Sequence, residues 1–250
     1  MCARYQLSVT AKKLAELFRA MFDERPDLYV PRYNIAPTSP VLIVREREVG
    51  QAGESPATIR RELAHVRWGL VPGWAKDIAI GAHMINARGE SAATKPGFRG
   101  AMKYRRCIVP VSGFYEWKHP PTGTRGKKRP HHIRVSDTEA FGLAGLWESW
   151  QDPAGNELDT CTVLTCQPNE MIADLHDRMP VILDPKDYAR WLNPNQQDAA
   201  AASTLLRPYP AERMEAWPVS TYVNKTGNEG PRCIEPVEIE GEQPGLFAGM

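Results

Sequence analysis

The sequence has few of the features that mark a membrane, secreted or metal-binding protein. No apolar run approaches the roughly 18 residues that span a bilayer, and a polar stretch, QLSVTAKK, stands where a signal peptide would carry its apolar segment. The five cysteines form no CxxC pair and the six histidines form no HExxH motif, so neither a disulfide framework nor a zinc site is expected. These absences predict a cytoplasmic protein that uses no metal or organic cofactor.

The charges are unevenly distributed along a chain whose composition is that of a folded protein with a sizeable core. Residues are 42% hydrophobic and 24% charged, and the net charge is only +1. Between positions 60 and 134, however, there are 16 lysines and arginines and only four acidic residues. This asymmetry indicates a basic face for a polyanion, unless acidic residues from the rest of the chain neutralise it. The sequence leaves both alternatives open.

The hydrophobic pattern predicts an α+β fold, a single compact domain with a mixed, mostly antiparallel β core flanked by helices. An amphipathic helix is predicted over 8–22 with Ser8 or Thr10 as N-cap, and later helices over 169–176, 184–192 and 197–206. Strands are predicted at 41–44, 63–70, 107–117, 131–137, 141–149 and 160–166. Cys107 and Cys161 fall in these strands and are expected to be buried. The domain is expected to span 1–235, followed by a disordered acidic tail over 236–250.

Four segments carry more polar and aromatic side chains than a core requires. In GFYEWK, Glu116 takes the strand face opposite to Tyr115 and Trp117. A carboxylate in an apolar strand must be paired, hydrogen-bonded or used, so an ion pair and a catalytic role both remain open. Taken singly, His176 is typical of a helix-end histidine and the tryptophans are typical of core residues. The four segments are RYNIAPTSP (32–40), WGLVPGWAKD (68–77) with MINARGES (84–91), GFYEWK (113–118) and ADLHDRMPVIL (173–183).

Cys2 directly follows the initiator methionine. Removal of Met1 would leave a thiol beside a free α-amine, whose ordinary pKa of about 7.7–8.0 gives a neutral fraction at cellular pH. Only a residue at the N-terminus offers both nucleophiles at once. The alternative is that position 2 is a frayed end where any residue is tolerated.

Together with Cys2, the ordered motifs resemble one family. MC-x-R-[YF], RYN-x-AP, WGL-x-PxW, NAR-x-E, G-[FW]-[YF]-EW and HDRMP are similar to the SRAP family, the SOS response-associated peptidase-like proteins that shield abasic sites in single-stranded DNA. The likeness runs from Cys2 to about Pro180 and continues more weakly through WPVSTYVN (217–224). One departure is Ala3, where the family usually carries glycine. A methyl group there restricts the backbone beside the reacting residue.

The resemblance implies covalent capture of the abasic sugar. The Cys2 amine would condense with the C1′ aldehyde and the thiol would close a thiazolidine ring, with weak abasic-site lyase activity as a side path and peptidase-type removal of Met1 beforehand. Proton transfer would fall to Glu116, and positioning of the amine or a sugar hydroxyl to Asn86. His176 would be a second proton-transfer group or would hold the 3′ phosphate. The implied contacts to DNA are phosphate binding by Arg4 and Arg88, a turn containing Asn34, and aromatic platforms at Trp68, Trp74 and Trp117.

Two other functions remain open from the residues alone. One is an N-terminal-nucleophile cysteine amidohydrolase or peptidase with Cys2 as nucleophile, and the other is a plain single-strand binding module. The expected protein is a monomer that binds no membrane. In the tail, QPGLF resembles the short peptides that dock on bacterial sliding clamps through residues such as Gln243, Leu246 and Phe247; an idle tail is the alternative.

Overall fold

The computed structural model describes residues 2–22, 26–49, 58–120 and 126–238, and it confirms an α+β fold. The described strands are β1 Tyr5–Leu7, β2 Met21–Phe22, β3 Arg32–Ile35, β4 Pro40–Val49, β5 Thr58–Trp68, β6 Asn86–Arg88, β7 Arg106–Val111, β8 Gly113–Lys118, β9 Arg129–Val135, β10 Phe141–Gln151, β11 Glu157–Cys166, β12 Met179–Pro180, β13 Ile182–Leu183 and β14 Met214–Pro218. The described α-helices are α1 Ala11–Phe18, α2 Gly89–Ala92, α3 Arg99–Tyr104, α4 Glu170–Ala173, α5 Tyr188–Leu192 and α6 Ala199–Ser203. Short 3₁₀ helices cover Pro26–Leu28, Ile78–His83, Pro185–Asp187, Ala211–Arg213, Thr221–Asn224 and Pro231–Cys233.

The strands form two sheets. The smaller sheet has the order β14-β9-β8-β1-β3 and is antiparallel throughout. The larger has the order β12-β11-β10-β7-β4-β5-β2, with β13 beside β10 and β6 beside β11. Strand β11 also pairs in parallel with β5, which closes the central strands of the larger sheet into a ring. The predicted mixed, mostly antiparallel core is therefore confirmed.

One apolar cluster joins both sheets and most of the helices into a single compact domain. Leu7, Phe114 and Ile133 of the smaller sheet belong to the same buried cluster as Ile43 and Leu143 of the larger. Burying an aliphatic or aromatic side chain of this size contributes about 1.5–3 kcal/mol relative to leaving it exposed. The predicted burial of two thiols is also confirmed, since the side chains of Cys107 and Cys161 have no exposed surface.

The first helix is shorter than the predicted span of 8–22. It begins at Ala11, where the Thr10 side chain accepts a hydrogen bond from Lys13 N, and it ends at Phe18 because Arg19 adopts a left-handed conformation with φ of 49°. Met21 and Phe22 continue the apolar spacing of the helix but form β2, which pairs in parallel with β5. Periodicity alone did not distinguish the last helical turn from a two-residue strand whose partner is distant in sequence.

The single strand predicted over 107–117 is two strands in different sheets. Ser112 separates them, and its backbone N donates to the Gln6 carbonyl at 2.7 Å. Residues 106–111 pair with β10 in the larger sheet, whereas residues 113–118 pair with β1 and β9 in the smaller one. This change of sheet brings Glu116 beside the N-terminal segment.

The predicted helix start at 184 is confirmed, because the Asp184 side chain accepts from Lys186 N at 3.2 Å ahead of α5. No helix of the described residues is long and apolar enough to cross a bilayer. Of the predicted tail, only residues 236–238 belong to the described part. Gln243, Leu246 and Phe247 lie outside it.

Candidate functional site

Cys2 lies inside the fold rather than at a frayed end. Its side chain has no exposed surface. The chain enters the smaller sheet as β1, between β8 and β3, and the backbone N of Tyr115 donates to the Arg4 carbonyl at 3.0 Å before β1 begins. Asn86 Nδ2 donates to the Cys2 carbonyl oxygen at 2.7 Å. Backbone and side-chain hydrogen bonds together hold this end of the chain in one place.

Asn86 reaches Cys2 from the larger sheet. It is the first residue of β6, which pairs in parallel with β11 so that Asn86 stands opposite Val163. The chain between β5 and β6 passes through Gly69, whose φ is +125°. A Cβ at this position would lie 2.5 Å from the Gly81 carbonyl oxygen, so only glycine fits there. Asn86 Oδ1 is buried and has no hydrogen-bond partner among the described residues. The amide therefore holds Cys2 with its donor and keeps an acceptor available beside it.

Glu116 is a buried carboxyl group next to Cys2. Its side chain is only 2% exposed, and burial is the main reason that its pKa is raised to about 7. Burial, followed by the Glu116 charge, raises the pKa of the Cys2 thiol to about 12, so the thiol is protonated at neutral pH. A carboxyl group with a pKa near 7 can both accept and donate a proton under cellular conditions.

His176 shares the electrostatic environment of Glu116. Its Nδ1 accepts a hydrogen bond from Arg178 N at 3.0 Å, which in the neutral ring leaves the proton on Nε2. When the ring is charged, Nδ1 can instead donate to Asp177 Oδ1, 2.7 Å away. Burial is the main reason that the pKa of His176 is lowered. The site thus contains an imidazole on which Asp177 and Lys128 act, as they do on the buried carboxyl group.

The hairpin of β8 and β9 adds two groups that the sequence motifs did not indicate. The charge of Lys128 lowers the pKa of both Glu116 and His176, and His119 also lowers the pKa of His176. Neither residue belongs to a motif, and each comes close only because the hairpin returns past Glu116. The basic composition of residues 118–129 was the one available signal.

Asn34 and Arg4 organise a neighbouring loop. The Asn34 side chain has no exposed surface, and its Nδ2 lies within hydrogen-bond distance of the carbonyl oxygens of Val223, Lys225 and Asn228. Arg4 Nη1 donates to Asn34 Oδ1 at 2.7 Å and to the Val223 carbonyl at 2.9 Å. The expected DNA contact of Asn34 is therefore corrected, because its side-chain amide is buried and makes hydrogen bonds to the 223–228 loop and to Arg4. Arg4 also binds this loop, and it remains a candidate phosphate ligand because it is half-buried rather than buried.

The three candidate tryptophans have different environments. Trp68 is 1% exposed, its Nε1 donates to the Ile85 carbonyl at 2.9 Å, and its ring centroid lies 5.2 Å from that of Tyr5. Its expected stacking role is corrected, because a core side chain presents no face to a base. Trp74 is 64% exposed. Trp117 is half-buried, and its Nε1 donates to Asn224 Oδ1 at 2.8 Å.

The basic segment 60–134 does not form a single unpaired face. Arg61 pairs with Glu46, Arg105 with Glu148 and Arg134 with Glu215, all acidic residues outside the segment. Arg106 is buried and donates to five backbone carbonyls. The alternative of neutralisation by the rest of the chain therefore applies to part of the segment. Arg88, at the end of β6, is exposed.

The sequence and fold are similar to those of several known proteins. The family model for SOS response associated peptidase (SRAP) matches residues 1–226. Abasic site processing protein YoqW of Bacillus subtilis (strain 168) is 41% identical over 235 residues, which cover 94% of this chain and 99% of YoqW. Abasic site processing protein HMCES of Gallus gallus is 34% identical over 237 residues, covering 86% of this chain and 69% of HMCES. A solved structure of a Bacteroides thetaiotaomicron protein is 26% identical, with a TM-score of 0.78 over 94% of this chain and 100% of that protein.

Proposed function

The chain belongs to the SOS response associated peptidase (SRAP) family, and from this premise we propose that it captures abasic sites in single-stranded DNA covalently through Cys2. The names of YoqW and HMCES support abasic-site processing as the general activity. The observation that carries the covalent step is the placement of Cys2, held by Asn86 beside a carboxyl group whose pKa is about 7. A frayed N-terminus would have neither the hydrogen bond from Asn86 nor the buried carboxyl group of Glu116 beside it.

The first step joins the Cys2 amine to the sugar. Once Met1 is removed, the α-amine has an ordinary pKa of about 7.7–8.0 and is partly neutral at cellular pH. Its nitrogen attacks the C1′ aldehyde of the opened sugar. Glu116 transfers two protons in turn from the nitrogen to the oxygen: the first gives a carbinolamine, and the second releases water and leaves an imine. The vacant Oδ1 of Asn86 is suited to accept a hydrogen bond from the amine or from a sugar hydroxyl.

The second step closes the ring. The Cys2 sulfur bonds to C1′ as its S–H bond breaks. The thiol proton moves to the nitrogen while the C=N double bond becomes a single bond, which yields a five-membered thiazolidine. The hydrogens of the departed water balance those lost by the amine and the thiol. An intramolecular thiol has an effective concentration of up to about 10⁵–10⁸ M in well-oriented cases. Ring closure therefore outcompetes hydrolysis of the imine, and the adduct is stable.

Two further activities belong to this proposal. Loss of a C2′ proton from the imine, with departure of the 3′ phosphate, breaks the strand, so weak lyase activity accompanies capture. In this proposal His176 assists that proton transfer. The peptidase name describes removal of Met1, which exposes the Cys2 amine. The protein acts as a cytoplasmic, nucleoid-associated monomer that shields abasic sites during the DNA damage response.

For the DNA strand we propose contacts with five side chains that are exposed or half-buried. Trp74 and Trp117 offer aromatic faces, each worth about 1–3 kcal/mol per stacked base. Arg88, Arg4 and Lys128 supply positive charge for the flanking phosphates. These groups come from three separate parts of the chain, which is consistent with a groove that follows the backbone of a single strand.

Intact mass spectrometry tests the covalent step. The purified protein is measured before and after incubation with a single-stranded oligonucleotide that contains one abasic site. A protein without Met1 that gains the oligonucleotide mass minus one water, stable to heat and mapped to Cys2, supports the proposal; the Cys2→Ser variant should form no stable adduct. No mass gain in a trimmed protein overturns it. Turnover of an acyl-amide without DNA would then favour the cysteine amidohydrolase.

The tail adds a separate proposal about recruitment. QPGLF at 243–247 docks the protein on a bacterial sliding clamp, which would place it at exposed template strands. A pull-down with the purified clamp compares the full chain with the Leu246→Ala, Phe247→Ala double variant. Loss of binding in the variant supports docking. Equal recovery of both proteins, or of neither, rules it out.

A further inference from the structure

Glu116 has a titratable neighbour that the family motifs do not include. In the antiparallel pairing of β8 with β9, Glu116 stands directly opposite His131. Directly opposite residues project from the same face of a sheet, with Cβ atoms about 4.5–5.5 Å apart. Both side chains are buried, with 2% of Glu116 and 7% of His131 exposed. The two side chains therefore project from the same face of the sheet, in a region that solvent barely reaches.

Ring contacts on the opposite face of the sheet confirm this arrangement. Tyr115 is opposite His132, and their ring centroids are 5.2 Å apart; His132 in turn lies 4.8 Å from Trp217. Because strand side chains alternate between faces, Glu116 and His131 occupy the other one. On the face of Glu116 and His131, the next opposite pair is Phe114 and Ile133, and both belong to the buried core.

The backbone determines which nitrogen of His131 carries the proton. Nδ1 lies 3.2 Å from the Arg129 carbonyl oxygen. A carbonyl oxygen only accepts, so Nδ1 must be the donor, and the neutral ring then has its lone pair on Nε2. His176 has the opposite tautomer, since its Nδ1 accepts from Arg178 N. The site therefore contains one imidazole with Nε2–H and another with a basic Nε2.

We propose that His131 is a positioning residue that acts through Glu116. Its Nε2 accepts a hydrogen bond from the protonated carboxyl group and takes up that proton for a short time during the reaction. The inference rests on the proposed function. When one oxygen of Glu116 takes a proton from the Cys2 amine, the other oxygen passes its proton to His131 Nε2. The path reverses each time the former aldehyde oxygen is protonated, first to the carbinolamine hydroxyl and then to the departing water. Glu116 stays neutral throughout, and no proton is gained or lost overall.

Charges around the pair favour return of the stored proton. Lys118 and Arg129 are opposite one another two residues along the same face, and Lys128 acts on Glu116 from the adjoining turn. His176 and Asp177 approach from the segment after α4. The three cations disfavour a further positive charge on His131, whereas Asp177 partly offsets them. The imidazolium is therefore a short-lived intermediate.

The test is the pH dependence of adduct formation with an abasic oligonucleotide, measured by rapid quench from pH 5.5 to 9. For His131→Phe we expect about a tenfold loss of rate at pH 7. The midpoint assigned to Glu116 should also fall by about 0.5–1 unit, because an acceptor that favours the neutral carboxyl group is gone. His131→Gln keeps a hydrogen-bond acceptor but cannot take up the proton. Compared with His131→Phe, it should therefore restore the pH midpoint assigned to Glu116 but not the rate of adduct formation. His132→Gln, on the opposite face, is the control and should change neither.

The outcomes separate this inference from the function on which it rests. If the wild-type protein forms no adduct, the proposed function fails. If the wild type reacts, Glu116→Gln does not, and His131→Phe has the wild-type profile, only the role of His131 is overturned. Should the variants not fold, ¹⁵N NMR of the wild-type histidines decides the matter. A pyridine-type Nε2 signal for His131 at neutral pH supports the proposal, and an Nε2–H signal contradicts it.

Discussion

The side-chain amide of Asn86 donates to the carbonyl oxygen of Cys2 at 2.7 Å, although the two residues are 84 positions apart in the chain. This one contact ties the start of the chain to the edge of the larger sheet, while β1 anchors the following residues in the smaller one. Cys2 is therefore positioned by both sheets at once.

Replacing Asn86 should slow adduct formation without unfolding the protein. In Asn86→Asp the donor becomes a carboxylate oxygen, which repels the Cys2 carbonyl oxygen. We expect the rate to fall about 10- to 100-fold, the usual result of misplacing a reacting group. Rapid-quench kinetics measure the rate, and circular dichroism checks the fold. Asn195→Asp, at an exposed position, is the matched control; equal rates for the two variants would show that the contact is dispensable.

Glu116 should make the stability of the protein depend on pH. Its pKa of about 7 in the folded state lies above the value of about 4.3 in an unfolded chain. The folded state therefore binds more protons between these two values, and the stabilisation present below pH 4 is lost as pH rises through 7. By linkage, Glu116→Gln should be more stable than the wild type by about 3.5 kcal/mol at pH 8, but by only about 1 kcal/mol at pH 5. Urea unfolding at both values measures the difference, and a constant difference would contradict the raised pKa.

The two tryptophans of WGLVPGW should respond in different ways to truncation. Trp74→Ala removes an exposed face, so the affinity for intact single-stranded DNA should fall by about 1–3 kcal/mol with little change in melting temperature. Trp68→Ala empties a core position and should destabilise the fold by about 3–5 kcal/mol. Fluorescence anisotropy and calorimetry give the two quantities. Tyr104→Ala, an exposed aromatic residue elsewhere, is the control for affinity, and a loss equal to that of Trp74→Ala would refute a local stacking site.

Replacing Asn34 should lower the stability of the fold more than it lowers the affinity for DNA. Asn34→Ala leaves the Val223, Lys225 and Asn228 carbonyls and the Arg4 guanidinium short of a partner. A buried group without its partner costs about 1–3 kcal/mol, so we expect a comparable loss of stability and faster amide hydrogen exchange in residues 221–228. Unchanged exchange in that loop would mean that other contacts hold it.

Ala3 should be a tolerated departure from the family pattern. Its φ is not among the positive values of the described residues, so this position does not require glycine. Ala3→Gly should change the rate of adduct formation by about twofold or less, since only local backbone freedom is altered. A tenfold acceleration, measured side by side with the wild type, would show that the methyl group hinders approach to Cys2.

Local patterns in the sequence were sufficient for part of the fold. Alternating and apolar runs predicted half of the fourteen described strands, among them the four longest, β4, β5, β10 and β11. Asp184 with Pro185 marked the start of a helix. Both signals arise from neighbouring residues. The 8–22 helix was predicted too long because Met21 and Phe22 are captured by β5. The sheet change at Ser112 was missed because its cause is a hydrogen bond to Gln6, 106 residues earlier.

For the site, the order of the motifs indicated the family and the participation of Cys2, Asn86, Glu116 and His176, since residue types that chemistry requires are visible without coordinates. Burial and register are not visible in the same way. The structure alone decided that Trp68 and Asn34 are internal, that the Cys2 thiol is shielded, and that His131 stands across from Glu116. Each of these depends on which distant strand lies alongside. Short motifs in the sequence thus indicate which residue types form the site. The geometry of the site and the protonation of its groups depend on the pairing of β1, β8 and β9 and on the packing of one sheet on the other.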